Sequence, residues 1–256
     1  SGNTIPFYIS IITFLLTCFM IPALPGSFNE VRGNGELFPL NGPMWSLFFE
    51  YIGNILYALF IRRLSTKLLT LLVILLGILH SIFTIGNLSG YGNLGVGWTF
   101  DTINFCGGML RMLFPFTLGM LISRCCKAIK LPYPFFLSSI LLIATLSVPY
   151  LTAFKAINLN GIYESLCIIA IFPLILTIGA SSQEKSKLSQ TLGELSYPLY
   201  IIHYPIMYLF YQWLIKTKQY TLSQTYPVAL FVIIISIILA FILLKLYDKP
   251  LRQRLK

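Results

Sequence analysis

Apolar residues run together for about 20 positions at a time along this chain, and polar residues collect in the gaps between the runs. Eight runs cover about 5–22, 43–61, 67–86, 105–123, 134–153, 162–180, 196–214 and 226–247. A helix needs roughly 20 apolar residues to cross the hydrocarbon core of a bilayer, so each run predicts one spanning helix. The runs are continuous rather than alternating, which excludes β-barrel strands. Pro43 opens the second run at its first turn, and Arg62-Arg63 closes it. The expected fold is all-α: a polytopic transmembrane helix bundle of about eight helices, one domain over 1–256.

Composition places the chain firmly in the membrane class. It is 57% hydrophobic and 10% charged, where soluble domains carry about a quarter charged residues. A net charge of +10 would suit a nucleic-acid partner on a soluble fold. Here the basic residues form short clusters between apolar runs and no stripe, so they read as topology signals and nucleic acid is not expected. The clusters at Arg62 and Lys127 are read the same way, in preference to a phosphate site. Thirteen Lys and Arg lie in one alternating set of connections and four (Arg32, Lys155, Lys216, Lys218) in the other. That asymmetry predicts both ends of this chain in the cytoplasm and an even number of spans. The five cysteines show neither metal spacing nor a disulfide framework and are read as structural, with no metal expected. The start Ser1-Gly2-Asn3-Thr4 lacks methionine and a charged n-region, so the first run is not read as a signal peptide.

Four polar residues within the runs stand out: Glu50, His80, Arg111 and His203. An ionisable group within a spanning helix costs about 2.5–3.5 kcal/mol on insertion scales, which makes it a candidate functional residue. Counting 1.5 Å per residue from the outward helix ends puts Glu50, Arg111 and His80 all about 10 Å deep on three helices. Opposite charges at one depth predict an ion pair between Glu50 and Arg111, facing a cavity or tying two helices together. His80 reads as an interfacial or hydrogen-bonded residue. His203 sits about 10 Å from the cytoplasmic end by the same count, in a helix distorted by Pro198 and Pro205. Tyr197, Tyr200 and Tyr204 accompany it at helical spacing, as packing or as a ligand surface. The outward segments 23–42 and 87–104 are rich in Gly, Asn and aromatics, a composition that suits either sugar binding or solvated turns.

Four motifs in order resemble the acyltransferase 3 family of membrane O-acyltransferases. Asn41-Gly42-Pro43-Met44-Trp45-Ser46-Leu47 followed by Glu50 is similar to its Asn-x-Pro-x-Trp-Ser-Leu-x-x-Glu signature. Gly107-Gly108-Met109-Leu110-Arg111 with Phe114, Phe116 and Gly119 resembles its arginine-bearing middle helix. Ser196-Tyr197-Pro198-Leu199-Tyr200 with His203 resembles its Ser-Tyr-x-x-Tyr-x-x-His helix, and Asp248-Lys249-Pro250-Leu251-Arg252 its ending. One family feature has no counterpart: a basic residue eleven positions before a histidine, where this chain has Leu69 before His80 and Leu192 before His203. The resemblance therefore implies a family base upstream of Ser1, in a full bundle of about ten helices whose even parity is kept.

The resemblance implies transfer of an acyl group, most often acetyl, from cytoplasmic acyl-CoA to a hydroxyl of a cell-surface or lipid-linked carbohydrate in a bacterial plasma membrane. Acyl-CoA is a co-substrate, and no bound cofactor is expected. Such chemistry needs a base for the hydroxyl and an electrophile for the thioester oxyanion. The catalytic candidates are Glu50, Arg111 and His203, with His203 on the donor side. The substrate-binding candidates are Asn41, Trp45, Ser46, Tyr197 and Tyr200. The rival reading is a glycan or lipid transporter or flippase without group transfer; it calls for repeated halves with discontinuous helices, and the sequence shows no such repeat.

Overall fold

The computed structural model describes residues 5–126, 131–152, 157–181, 187–218 and 221–254. Lys127, Lys130, Lys155, Lys185 and Lys256, used in the charge count, lie outside them. Among the described residues there are eight helices, one for each apolar run: α1 Phe7–Cys18, α2 Met44–Leu59, α3 Thr66–Ile85, α4 Thr102–Cys125, α5 Pro134–Leu146, α6 Leu159–Ala180, α7 Lys187–Thr217 and α8 Leu222–Arg254. Between helices the described residues form no strand, only an isolated bridge joining Glu36 and Thr99. α3, α4, α6 and α8 are long and apolar enough to cross a membrane. The molecule is a helical membrane bundle.

Local chemistry sets the helix starts. Ser65, Asp101 and Asn158 each accept a backbone N–H of the first turn of α3, α4 and α6 respectively, which satisfies donors that a helix leaves open. α6 and α8 each contain a π turn, Cys167–Ile171 and Leu244–Asp248. Each turn ends two residues before a proline, Pro173 and Pro250. A proline offers no N–H and its ring crowds the carbonyl four residues back, so a locally widened turn carries the helix past it.

α3 packs on α4 and α6, α5 on α6, and α2 on α4, while α7 and α8 form a long hairpin. α2 and α4 run parallel and in register: Phe49 meets Gly108, Gly53 meets Met112, and the Tyr57 ring meets Phe116. That register places Glu50 within one turn of Arg111, in agreement with the depth count. The deepest core joins them, with Leu37, Phe38 and Phe49 almost fully enclosed.

Candidate functional site

Two stripes of α2 face different surroundings. Trp45, Phe49 and Gly53 turn toward α4, while Ser46, Glu50 and Asn54, also four residues apart, line the wall of a cavity that Trp45 and Phe49 border as well. α4 supplies the opposite wall with Arg111, Met112, Pro115 and Phe116. The cavity has a volume of about 410 Å³, within the range of small-molecule sites. A carboxylate and a guanidinium thus share one pocket between two parallel helices.

They do not form a direct ion pair. The ion pairs among the described residues are Arg32–Glu36, Lys249–Glu194 and Arg252–Asp248. Arg111 instead donates from Nη1 to the Val96 carbonyl at 2.7 Å and lies over the Trp45 ring at 4.6 Å. The depth count located both charges on the helix axis but carried no information on where the long arginine side chain would turn. A cation–π contact and a charged hydrogen bond hold the guanidinium at the cavity rim.

Val96 belongs to a backbone strap, 94–98, that dips into the bundle. The Leu94 N–H donates to Glu164 Oε2 at 2.8 Å, the Gly97 N–H to Asn104 Oδ1 at 2.9 Å, and the Leu37 N–H to the Trp98 carbonyl at 2.8 Å. Gly97 has φ +117° and a β-carbon there would meet the Trp45 ring at 2.7 Å and the Gly108 Cα at 3.2 Å. Only glycine fits such a turn at that approach. Non-helical backbone at this depth is tolerated because every one of these polar groups has a partner. Glu164 was not singled out in the sequence, although it is a second carboxylate at the edge of an apolar run and the argument applied to Glu50 covers it equally.

α7 brings the third motif to the start of α2. The Tyr200 hydroxyl donates to the Pro43 carbonyl at 3.0 Å and bonds the Ser46 hydroxyl. Asn41 Nδ2 donates to the Ile201 carbonyl at 2.9 Å. That carbonyl lies four residues before Pro205, which has no N–H to give it, so Asn41 supplies the donor that the proline removed. Trp45, Ser46, Glu50 and Arg111 therefore meet at the cavity, with Asn41 and Tyr200 bracing its rim. Tyr197 is not brought in and stays 48% exposed.

His203 lies beside Tyr200 and Tyr204, with ring centroids 6.0 and 5.8 Å away, and outside the cavity lining. Its Nδ1 is 3.0 Å from the Leu199 carbonyl; a proton there leaves Nε2 as the acceptor. The contacts of Ile201 and Tyr200 place it level with Asn41–Ser46, the end of α2 that the charge count turns outward. On the orientation that the charge count expects, this level is the outer side and away from the donor side expected for His203. α7 has 31 residues, about 46 Å at 1.5 Å each, so depth cannot be counted from the edge of its apolar run. His80 also departs from expectation. It is fully buried against Phe114, and neither ring nitrogen has a hydrogen-bond partner.

The family model of the acyltransferase domain of the acyltransferase 3 family matches residues 3–245. No curated protein and no solved structure matches the chain. The match reaches all eight helices, ending within α8, and takes in every residue of the cavity. With a helical membrane bundle around it, the chain belongs to the acyltransferase 3 family and is a membrane acyltransferase.

Proposed function

We propose that this protein transfers an acyl group, with acetyl the expected one, from cytoplasmic acyl-CoA to a hydroxyl of a cell-surface or lipid-linked carbohydrate, in a bacterial plasma membrane. The observation that carries the reading is the single cavity lined by both Glu50 and Arg111. Arg111, fixed by Val96 and Trp45, has guanidinium N–H groups left to stabilise the oxyanion that forms when the hydroxyl oxygen adds to the thioester carbonyl. Glu50 accepts the hydrogen bond of the attacking hydroxyl and orients it. As the oxygen adds to the carbonyl its proton passes to the Glu50 carboxylate; collapse of the adduct breaks the C–S bond, and that proton goes to the departing thiolate, releasing CoA as the free thiol. Trp45 and Ser46 shape the acceptor side, and Asn41 and Tyr200 hold that rim in place. His203 acts as a positioning residue through its contact with Tyr200.

The test is transfer itself. Membranes carrying the protein are given acyl-labelled acetyl-CoA, and label is sought as base-labile ester on extracted glycans and glycolipids. Ester label that disappears in Arg111→Gln supports the reading. Movement of a glycan across the membrane with no ester formed favours the transporter alternative.

A further inference from the structure

A second cavity lies on the far side of Pro115 from the Glu50–Arg111 pocket. It has a volume of about 460 Å³ and is lined by Pro115, Leu118, Gly119 and Ile122 of α4 with Ile168, Phe172 and other apolar residues of α6. Pro115 lines both cavities, so the polar and apolar spaces adjoin across one residue.

Three local features open this space. Gly119 has no side chain, and a β-carbon built there meets nothing within 4 Å. The π turn Cys167–Ile171 widens α6 along the opposite wall. Pro173 then prevents the ordinary helical bond to the carbonyl four residues back. π turns inside helices recur at functional sites. Gly119 is eight residues beyond Arg111, about 12 Å along the helix axis.

We infer that this cavity receives the aliphatic tail of the transferred acyl group, so that the donor range extends beyond acetyl to medium-length chains. An acyl thioester has a polar carbonyl and an apolar tail. Here a cation stands in one pocket, and an almost wholly apolar pocket opens next to it within the reach of such a tail. Acetyl needs only the first pocket; an octanoyl chain extends past Pro115, four residues or about 6 Å along the axis from Arg111, into the second. The inference rests on the proposed function, since it assumes that the carbonyl reacts at Arg111.

The experiment compares acetyl-CoA, octanoyl-CoA and myristoyl-CoA as donors, reading CoA released by membranes carrying the protein or its Gly119→Leu variant. The expected result is turnover of octanoyl-CoA by the wild type and a drop of about tenfold or more in the octanoyl-to-acetyl ratio in Gly119→Leu, because the new side chain displaces two or three methylenes. A photoreactive octanoyl-CoA should label peptides of α4 and α6 in the wild type, which keeps the inference testable should the variant fail to fold. Acetyl turnover without octanoyl turnover or labelling overturns the inference and leaves the proposed function standing. No turnover of any donor overturns the proposed function and the inference with it. Equal labelling by a photoreactive phospholipid means that a membrane lipid occupies the cavity, which also overturns it.

Discussion

Arg111 carries its charge in the middle of an apolar helix, and its surroundings divide its work between two kinds of contact. The Val96 carbonyl takes one N–H and the Trp45 face takes the plane of the guanidinium. Lysine can satisfy neither geometry in the same way. Arg111→Lys is therefore expected to lose about 10²-fold or more in acyl transfer, as for removal of an oxyanion donor. Because Glu50 is not its direct partner, Glu50→Gln strands no buried cation. It should lower transfer while leaving the thermal unfolding temperature in detergent near wild type; a fall in stability that tracks activity would restore the ion pair. His80 gives the opposite expectation. A buried polar ring with both nitrogens unpaired costs about 1–3 kcal/mol, so His80→Leu should hold or raise the unfolding temperature. At this scale the sequence disclosed which charges share a depth, since that depends on spacing alone. Side-chain direction, the Val96 contact and the Glu164 anchor depend on a loop whose path no periodicity encodes.

Proline, more than any other residue, shapes the helices. Pro205 leaves the Ile201 carbonyl without a helical donor, and Asn41 fills the gap from a loop 160 residues earlier in the chain. Asn41→Ala should destabilise the protein by less than the full cost of about 1–3 kcal/mol for an unsatisfied acceptor, because it also removes the buried, unpartnered Asn41 Oδ1. In Asn41→Ala/Pro205→Ala the new N–H of residue 205 reaches the same carbonyl, so the double variant should recover most of the loss. Additive losses in thermal unfolding would show that Asn41 acts elsewhere. The α7–α8 hairpin also has a polar clasp near its base, where Lys249 lies 2.7 Å from Glu194. Hydrogen bonding from Lys249 holds the Glu194 carboxyl below its ordinary range. The clasp is thus complete above the usual glutamate range and is lost as pH falls through the lowered value. Hydrogen exchange at the base of α7 should rise only on that acid side, and should depend on pH less in Lys249→Met, where Gln190 and Arg252 still favour the ionised carboxyl. All eight helices were legible as apolar runs because membrane helices need little more than length and hydrophobicity. Their ends were less so: α7 and α8 continue past the runs on polar residues that packing and the π turn support.

The whole molecule joins a body, in which α2 and α3 pack on α4 and α3 and α5 on α6, to a hairpin that meets it at the rim of the cavity. Arg32 extends that junction by lying over the Tyr208 ring at 4.2 Å. From Tyr200 the helix continues to Thr217, about 25 Å further along its axis, so the end of α7 stands well beyond the start of α2. The end of the body that carries the basic cluster is closed by Arg124, which donates to the Leu64 carbonyl at 2.8 Å beside Arg62 and Arg63. If the basic clusters face the cytoplasm, the start of α2, His203 and the hairpin turn must all face outward together, because the contacts at Asn41 and Ser46 lock them to one level. Single cysteines in a background lacking Cys18, Cys106, Cys125, Cys126 and Cys167 check this as one coupled statement. Ser89→Cys, between α3 and α4, and Ser223→Cys, at the hairpin turn, should react with a membrane-impermeant maleimide on intact cells. The restored native Cys126, exposed at the inner end of α4, should react only after the cells are opened. Labelling of Cys126 on intact cells would invert the bundle and overturn the charge argument. Labelling of Ser89→Cys without Ser223→Cys would instead leave the body oriented as expected and separate the hairpin from it, removing Tyr200 and His203 from the rim.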